Sequence, residues 1–319
     1  MRNWPTCIGI LLLISMPLYS AIGKQTSFTK RNTSQGIEFA YRWLSTDGNS
    51  ELKFVLSNEN LKNLPNSSPA YNPMLAQNFV RQNLLRYAKT VDPKIAKISI
   101  RQSGNSINME VSGSSQAKIS EIQNVLSEKH EQAEAQYLYD NYYIPFKSEV
   151  GKEAIKQDHK RYALESYKNL TSIVSAIKNQ LENPNNDREF VNFTLNWLQA
   201  IPYDTMENRI SSNGSGFAAP QQLLRFNKGD CDSKSTLFLA LLKAYKPTIK
   251  AQMIFLPNHA LVGINLNPIN TDTKIIQNND VYVLAEPTGP ANYELGRIAP
   301  SSQLFIRNRQ FTTEEFYIK

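Results

Sequence analysis

A chain of 319 residues that is 41% hydrophobic and 20% charged has enough apolar content to bury a core, which excludes an intrinsically disordered protein. Its length suggests two domains of roughly 100–200 residues each. The net charge of +7 raises nucleic acid or an anionic surface as partner. However, the basic residues are scattered among acids, as in Lys152-Glu153 and Lys156-Gln157-Asp158, so they read as a solvated surface with no nucleic-acid partner.

In chain order, Met1-Arg2-Asn3-Trp4 leads into the apolar run Ile8 to Ile14 and then Met16 to Gly23, the form of a secretory signal peptide. A membrane anchor competes with this, but a spanning helix needs about 20 consecutive apolar residues, and Ser15 and Pro17 interrupt the run. Residues 1–23 are therefore expected to be cleaved, placing the mature protein in the periplasm or outside the cell. It would meet the membrane only through an uncleaved signal.

Gln25 to Gln35 is polar and reads as a loose leader. Ile37 to Trp43, a turn at Asp47-Gly48-Asn49, and Leu52 to Leu56 predict a hairpin. Leu75, Phe79, Leu84, Leu85 and Tyr87 predict a helix that stops before Pro93. Ile95, Ile98 and Ile100 predict a strand. It turns at Ser103 to Ser106 and returns through Ile107 to Val111, and a helix follows on Ile119, Ile122, Val125 and Leu126. The order β-β-α-β-β-α describes a small α+β domain over residues 24–148. At its end, Tyr137, Tyr139, Tyr142, Tyr143 and Phe146 suit either a binding face or packing between domains, and packing is favoured.

The second domain, residues 149–319, begins helical. Tyr162 to Leu181 keeps helical spacing up to Asn183-Pro184, and Asp187 caps a further helix carrying Phe190, Val191, Thr194, Trp197 and Leu198. Ser211 to Gly216 is a Gly/Ser-rich loop. The chain has two cysteines. Cys7 leaves with the signal, so Cys231 is the one thiol of the mature protein. An unpaired thiol is a hazard in an oxidising compartment, unless it is a small buried hydrophobe.

The neighbours of Cys231 bear on that choice. Asn227-Lys228-Gly229-Asp230-Cys231-Asp232-Ser233 passes into Lys234 to Tyr245, whose Leu237, Phe238, Leu241, Leu242 and Tyr245 mark a helix face. Cys231 thus begins a helix, where unpaired N–H groups and the macrodipole are expected to lower the thiol pKa. The same N–H groups suit an oxyanion, and Gly229 opens the backbone to a substrate. Asp230 and Asp232 oppose the thiolate, which a histidine would offset. Ala251 to Leu256 reads as a strand and Pro257-Asn258 as a turn. The next strand, His259 to Leu266, begins at the histidine, and a third, Val281 to Glu286, ends in a carboxylate. Antiparallel pairing of the last two sets Glu286 beside His259, where a carboxylate fixes the tautomer of a catalytic imidazole.

Gly-Asp-Cys-Asp, His-Ala-Leu-Val and Ala-Glu-Pro-Thr in this order resemble the Cys, His and Asp blocks of the bacterial transglutaminase-like superfamily. The likeness spans Asp187 to Gly296 and includes Ile201-Pro202-Tyr203-Asp204 and Ala219 to Leu224. It implies an α+β, papain-like core in which the cysteine helix packs on an antiparallel sheet, and acyl transfer through a thioester. Cys231 is then the nucleophile, His259 the base and Glu286 the orienting residue, with Glu where the family usually has Asp. Gln222 and Tyr203 are candidates for the oxyanion hole, against ordinary packing roles. Some exported peptidases of the superfamily bind calcium through acids flanking the cysteine. Asp230 and Asp232 match that in part, whereas Ser233 stands where a further acid belongs. No other cofactor is expected. His130 lies in a charged helical stretch, His159 lies near a helix start, and neither has metal-site spacing. The expected activity is hydrolysis of a protein or peptide amide in the cell envelope. An amine-accepting, crosslinking transglutaminase and a non-enzymatic binding module are the alternatives.

Overall fold

A computed structural model describes residues 23–46, 48–147, 153–208 and 214–316. The expected signal up to Ile22 lies outside the described residues, as do Asp47 and residues 209–213 at the start of the Gly/Ser-rich loop.

The segment read as a leader is a strand. β1 (Gln25–Asn32) pairs antiparallel with β2 (Gly36–Ser45), which pairs with β3 (Gly48–Ser57). β1 escapes detection because it is an edge strand with almost every side chain in solvent, held by backbone pairing rather than by apolar burial. β2 and β3 follow the two-residue period, turning Ile37, Phe39, Tyr41, Trp43, Leu52, Phe54 and Leu56 to one buried face.

A short helix, α1 (Asn58–Asn63), is followed by a unit with its own core. α2 (Pro73–Ala88), the hairpin β4 (Ala96–Ser103) and β5 (Ser106–Gly113), and α3 (Gln116–Asp140) enclose Val80, Leu84, Ile100, Ile122 and Leu126. The hairpin β6 (Tyr143–Lys147) and β7 (Glu153–Gln157) leads to α4 (His159–Ser166). The aromatic cluster packs at this junction: Tyr71 meets Tyr143 at 5.3 Å, and Tyr142 stacks on Tyr162 at 4.4 Å.

The single helix expected over Tyr162 to Leu181 is broken. α4 gives way to a tight turn at Tyr167–Leu170 before α5 (Thr171–Lys178). Ser166 Oγ donates to the Tyr162 carbonyl at 2.6 Å, a back-bond of the kind that bends helices. α6 (Asp187–Ala200) is capped by Asn186 rather than Asp187. The Asn186 side chain accepts from the N–H groups of Arg188 at 3.0 Å and Glu189 at 3.3 Å.

α7 (Pro220–Phe226) and α8 (Cys231–Tyr245) precede β8 (Ala251–Leu256), β9 (His259–Ile264), β10 (Lys274–Gln277), β11 (Asp280–Ala285), α9 (Pro300–Arg307) and β12 (Thr312–Glu315). The five strands form one antiparallel sheet in the order β10-β11-β9-β8-β12. α8 covers one face through Leu237, Leu241, Met253, Val262 and Val283, while Ile254, Leu261, Tyr282 and Phe305 fill the other face beneath α9. The architecture is α+β with antiparallel sheets.

The core beneath α8 continues without a break into the β1–β3 sheet. Trp197 of α6 meets Tyr41 edge-on at 5.2 Å and Phe54 at 5.9 Å. The boundary expected at residue 148 therefore does not divide the core, because the aromatic face of β2 and β3 has no other cover. A chain starting at residue 149 would leave Trp197 open to water. We expect it to show no cooperative thermal transition by near-ultraviolet circular dichroism, whereas the full chain shows one.

Candidate active site

Three segments converge at the N-terminus of α8. Asp230 caps the helix, its Oδ1 accepting from the Ser233 N–H at 2.9 Å and from the Ser233 hydroxyl. The same hydroxyl accepts from the Ala218 N–H at 2.7 Å, which fixes the approach to α7. Lys234 is fully buried beneath the helix start, and its ammonium donates to the Ile201 carbonyl. Burial pushes the Lys234 pKa down to about 7, against the pull of Asp230 and Cys231. Beside it, Tyr203 forms a parallel bridge with Gly229, closed by the Gly229 N–H on the Pro202 carbonyl at 3.3 Å.

That bridge corrects the expectation for Gly229. Its N–H is already engaged, and a Cβ there would lie 2.9 Å from Leu223 Cδ1 and 3.1 Å from Ser233 Cβ. A side chain there would press on Leu223 of α7 and Ser233 of α8. Tyr203, in contrast, is 53% exposed and lines a cleft with His259 and Glu286, and burial, then the negative charge at Cys231, raises its phenol pKa. Gln222 lies on α7, and among the described residues no hydrogen bond joins its side chain to Cys231, His259 or Glu286.

β9 begins at His259, after a turn in which Asn258 takes a left-handed conformation with φ 59°. The N–H of the next residue, Ala260, favours the Cys231 thiolate, so the mouth of β9 lies near the start of α8. β11 pairs with β9 in the register Ala285↔Val262, which delivers Glu286 to the same end of the sheet. His259 Nε2 lies 3.0 Å from Glu286 Oε1, and Glu286 Oε2 accepts from the Ala299 N–H at 2.7 Å. Both carboxylate oxygens are held, and only 5% of the residue is exposed. With Nε2 on the carboxylate, Nδ1 is the ring nitrogen turned away from it.

Gln199 of α6 fixes the loop that carries Glu286, a role not evident from its place in an apolar helix face. Its amide donates to the carbonyls of Glu286 and Tyr293, both at 2.8 Å, and accepts from the Tyr293 N–H at 3.1 Å. A cleft of 530 Å³ opens beside the pair, with Tyr203, Leu256, His259, Glu286 and Phe305 among its walls. An adjoining cavity of 850 Å³ shares Tyr203 and Gly289 to Ala291.

Asp232 is the first acidic side chain of α8 itself. Cys231 Sγ donates to its Oδ1 at 3.4 Å, and its Oδ2 lies 3.5 Å from Nε2 of His159, which is buried at the start of α4. His130 lies on α3, apart from the site. Asp230 and Asp232 therefore serve different partners. Among the described residues no group of three or more His, Cys, Asp or Glu is arranged to hold a metal ion, so the partial match to a calcium site gains no further ligand.

The electrostatics of the thiol also depart from expectation. Burial, then Asp232 and Asp230, push the Cys231 pKa up, outweighing the Ala260 N–H. Two carboxylates at the helix start cancel the advantage of its N-terminus. The resting group is the thiol. Alkylation of Cys231 by iodoacetamide should therefore inflect at higher pH than that of the unfolded chain, and an inflection at or below the unfolded value would refute this. A Cβ at Gly289 would lie 1.9 Å from the Gln199 carbonyl oxygen. Gly289→Ala is expected to cost about 1–3 kcal/mol, read as a lowered unfolding midpoint.

No family model, curated protein or solved structure matches this chain, so its chemistry rests on the geometry of its own residues.

Proposed function

We propose that the chain is an exported thiol enzyme of transglutaminase-like type with a papain-like core, which hydrolyses an amide of a protein or peptide in the cell envelope through a thioester on Cys231. The observation that carries this reading is the His259–Glu286 contact of 3.0 Å beside the helix start that presents Cys231. His259 takes the thiol proton as Sγ attacks the carbonyl carbon, and the unpaired N–H groups of the first turn of α8 face the developing oxyanion. As the tetrahedral adduct collapses, the C–N bond breaks and His259 returns the proton to the leaving amine. Water, deprotonated by the same imidazole, then splits the thioester to release acid and thiol. Glu286 holds the ring in one tautomer throughout and balances its charge.

The side chain of His259 is 23% exposed at the edge of the cleft, which favours water as the acceptor over a bound amine. Treatment with an activated ester is expected to leave one acyl group on Cys231 by intact mass, and Cys231→Ala and His259→Ala should abolish it. Glu286→Gln should slow acylation by about 10²–10⁴-fold. In H₂¹⁸O the released acid should carry one labelled oxygen. Uptake of a primary amine instead would assign the transferase reaction, and an unacylated wild-type chain would leave a binding module.

A further inference from the structure

Two histidine–carboxylate pairs lie near the start of α8, and the reaction above uses one of them. The other, His159 with Asp232, is more deeply buried. His159 is 2% exposed, at the start of α4, with its ring edge-on to Phe217 at 5.1 Å and tilted against Phe255 at 5.8 Å. Its Nδ1 is buried with no hydrogen-bond partner, while Nε2 faces Asp232 Oδ2 at 3.5 Å. An imidazole in that setting is best accommodated neutral, with its one proton on Nε2 toward the carboxylate and the bare Nδ1 lone pair toward the apolar rings.

The charged groups around it agree with this. Asp158 flanks it on its own element, Asp232 faces it from α8, Lys156 from β7 and Glu314 from β12. Lys156 and Glu314 bind each other at 2.6 Å, which leaves Asp232 as the acid in contact with the ring. Burial lowers the His159 pKa, against the pull of Asp232. Around the sulfur itself stand Asp230, Asp232, Tyr203 and Lys234.

We propose that His159 is a positioning residue for the nucleophile: by holding one oxygen of Asp232 it keeps the other on the Cys231 S–H, so the resting enzyme carries a protonated thiol. The pair acts as a restraint that His259 must overcome when substrate arrives, and it keeps a lone thiol in its less oxidisable form. This rests on Cys231 being the reacting thiol.

The test is the pH profile of iodoacetamide alkylation at Cys231 in the full chain, located by peptide mass, in Asp232→Asn, His159→Leu, His159→Gln and the double variant H159L/D232N. Asp232→Asn should move the inflection down. Alkylation at pH 7 should then rise about threefold per unit of pKa lost, because tenfold more thiolate is offset by a weaker nucleophile. His159→Leu should shift the profile in the same direction, and His159→Gln, which retains an N–H donor, should stay near wild type. In the Asp232→Asn background His159→Leu should add nothing, since the histidine acts through the carboxylate. A His159→Leu profile that matches wild type, or an equal shift with and without Asp232, overturns the proposal. Should His159→Leu fail to fold, His159→Asn, too short to reach Asp232, is compared with His159→Gln and read in the same way. Alkylation needs no turnover. An unshifted profile with acyl-enzyme intact refutes the role of His159 alone, whereas loss of acylation in the wild type refutes the enzymatic reading.

Discussion

A helix buried over most of its circumference must be enclosed on every side, and α8 imposes that constraint here. From Ser233 to Lys243 each of its residues is buried. One side is met by the five-stranded sheet and the other by the helices α4 to α7, of which α6 in turn packs on the aromatic face of β2 and β3. Only its two ends, Cys231-Asp232 and Ala244-Tyr245, are partly open. The position of Cys231 follows from this enclosure, because a chain end of a buried helix is the one part that solvent can approach. The same enclosure explains the buried polar groups below it. The Lys234 ammonium and the Asp230 carboxylate are tolerated because each has a partner, the Ile201 carbonyl and the Ser233 donors respectively.

Two effects compete for the proton of Cys231. The helix start and the Ala260 N–H favour the thiolate, whereas burial and the two flanking carboxylates favour the thiol. Burial weakens solvent screening and so magnifies the carboxylates, which decides the resting state. On the proposed reading, such a site would react when an imidazole accepts the proton during attack rather than by standing as a permanent thiolate. The rigid mounting of Glu286, held by Ala299 on its free oxygen and by Gln199 on its backbone, fixes the His259 ring that the proposed transfer would use.

Much of this was legible in the sequence. The apolar face of Leu237, Phe238, Leu241 and Leu242 marks α8, and two strands with His259 at the start of one and Glu286 just past the end of the other need only antiparallel pairing to meet. Features that escaped depend on partners far along the chain. β1 has no apolar pattern because pairing on one edge supplies its stability. Gln199 looks like a polar interruption until the loop from Glu286 to Tyr293 is laid over it. His159 beside Asp158 resembles an ordinary helix start, because its partner Asp232 is more than 70 residues away. The low-pKa expectation for Cys231 failed for a related reason: a helix terminus can be seen in sequence, but the depth at which it is buried cannot.

The aromatic face of β2 and β3 has a consequence for how this chain is made. Phe39, Tyr41, Trp43 and Phe54 emerge from a ribosome or a translocation pore well before Phe193 and Trp197, the residues of α6 that pack on Tyr41, Trp43 and Phe54. Hairpins form within microseconds, whereas synthesis adds only about 5–20 residues each second. A sticky, half-finished sheet therefore persists for seconds at the leading end of every nascent molecule. It is the surface on which a holding chaperone would bind, and on which two unfinished copies would adhere.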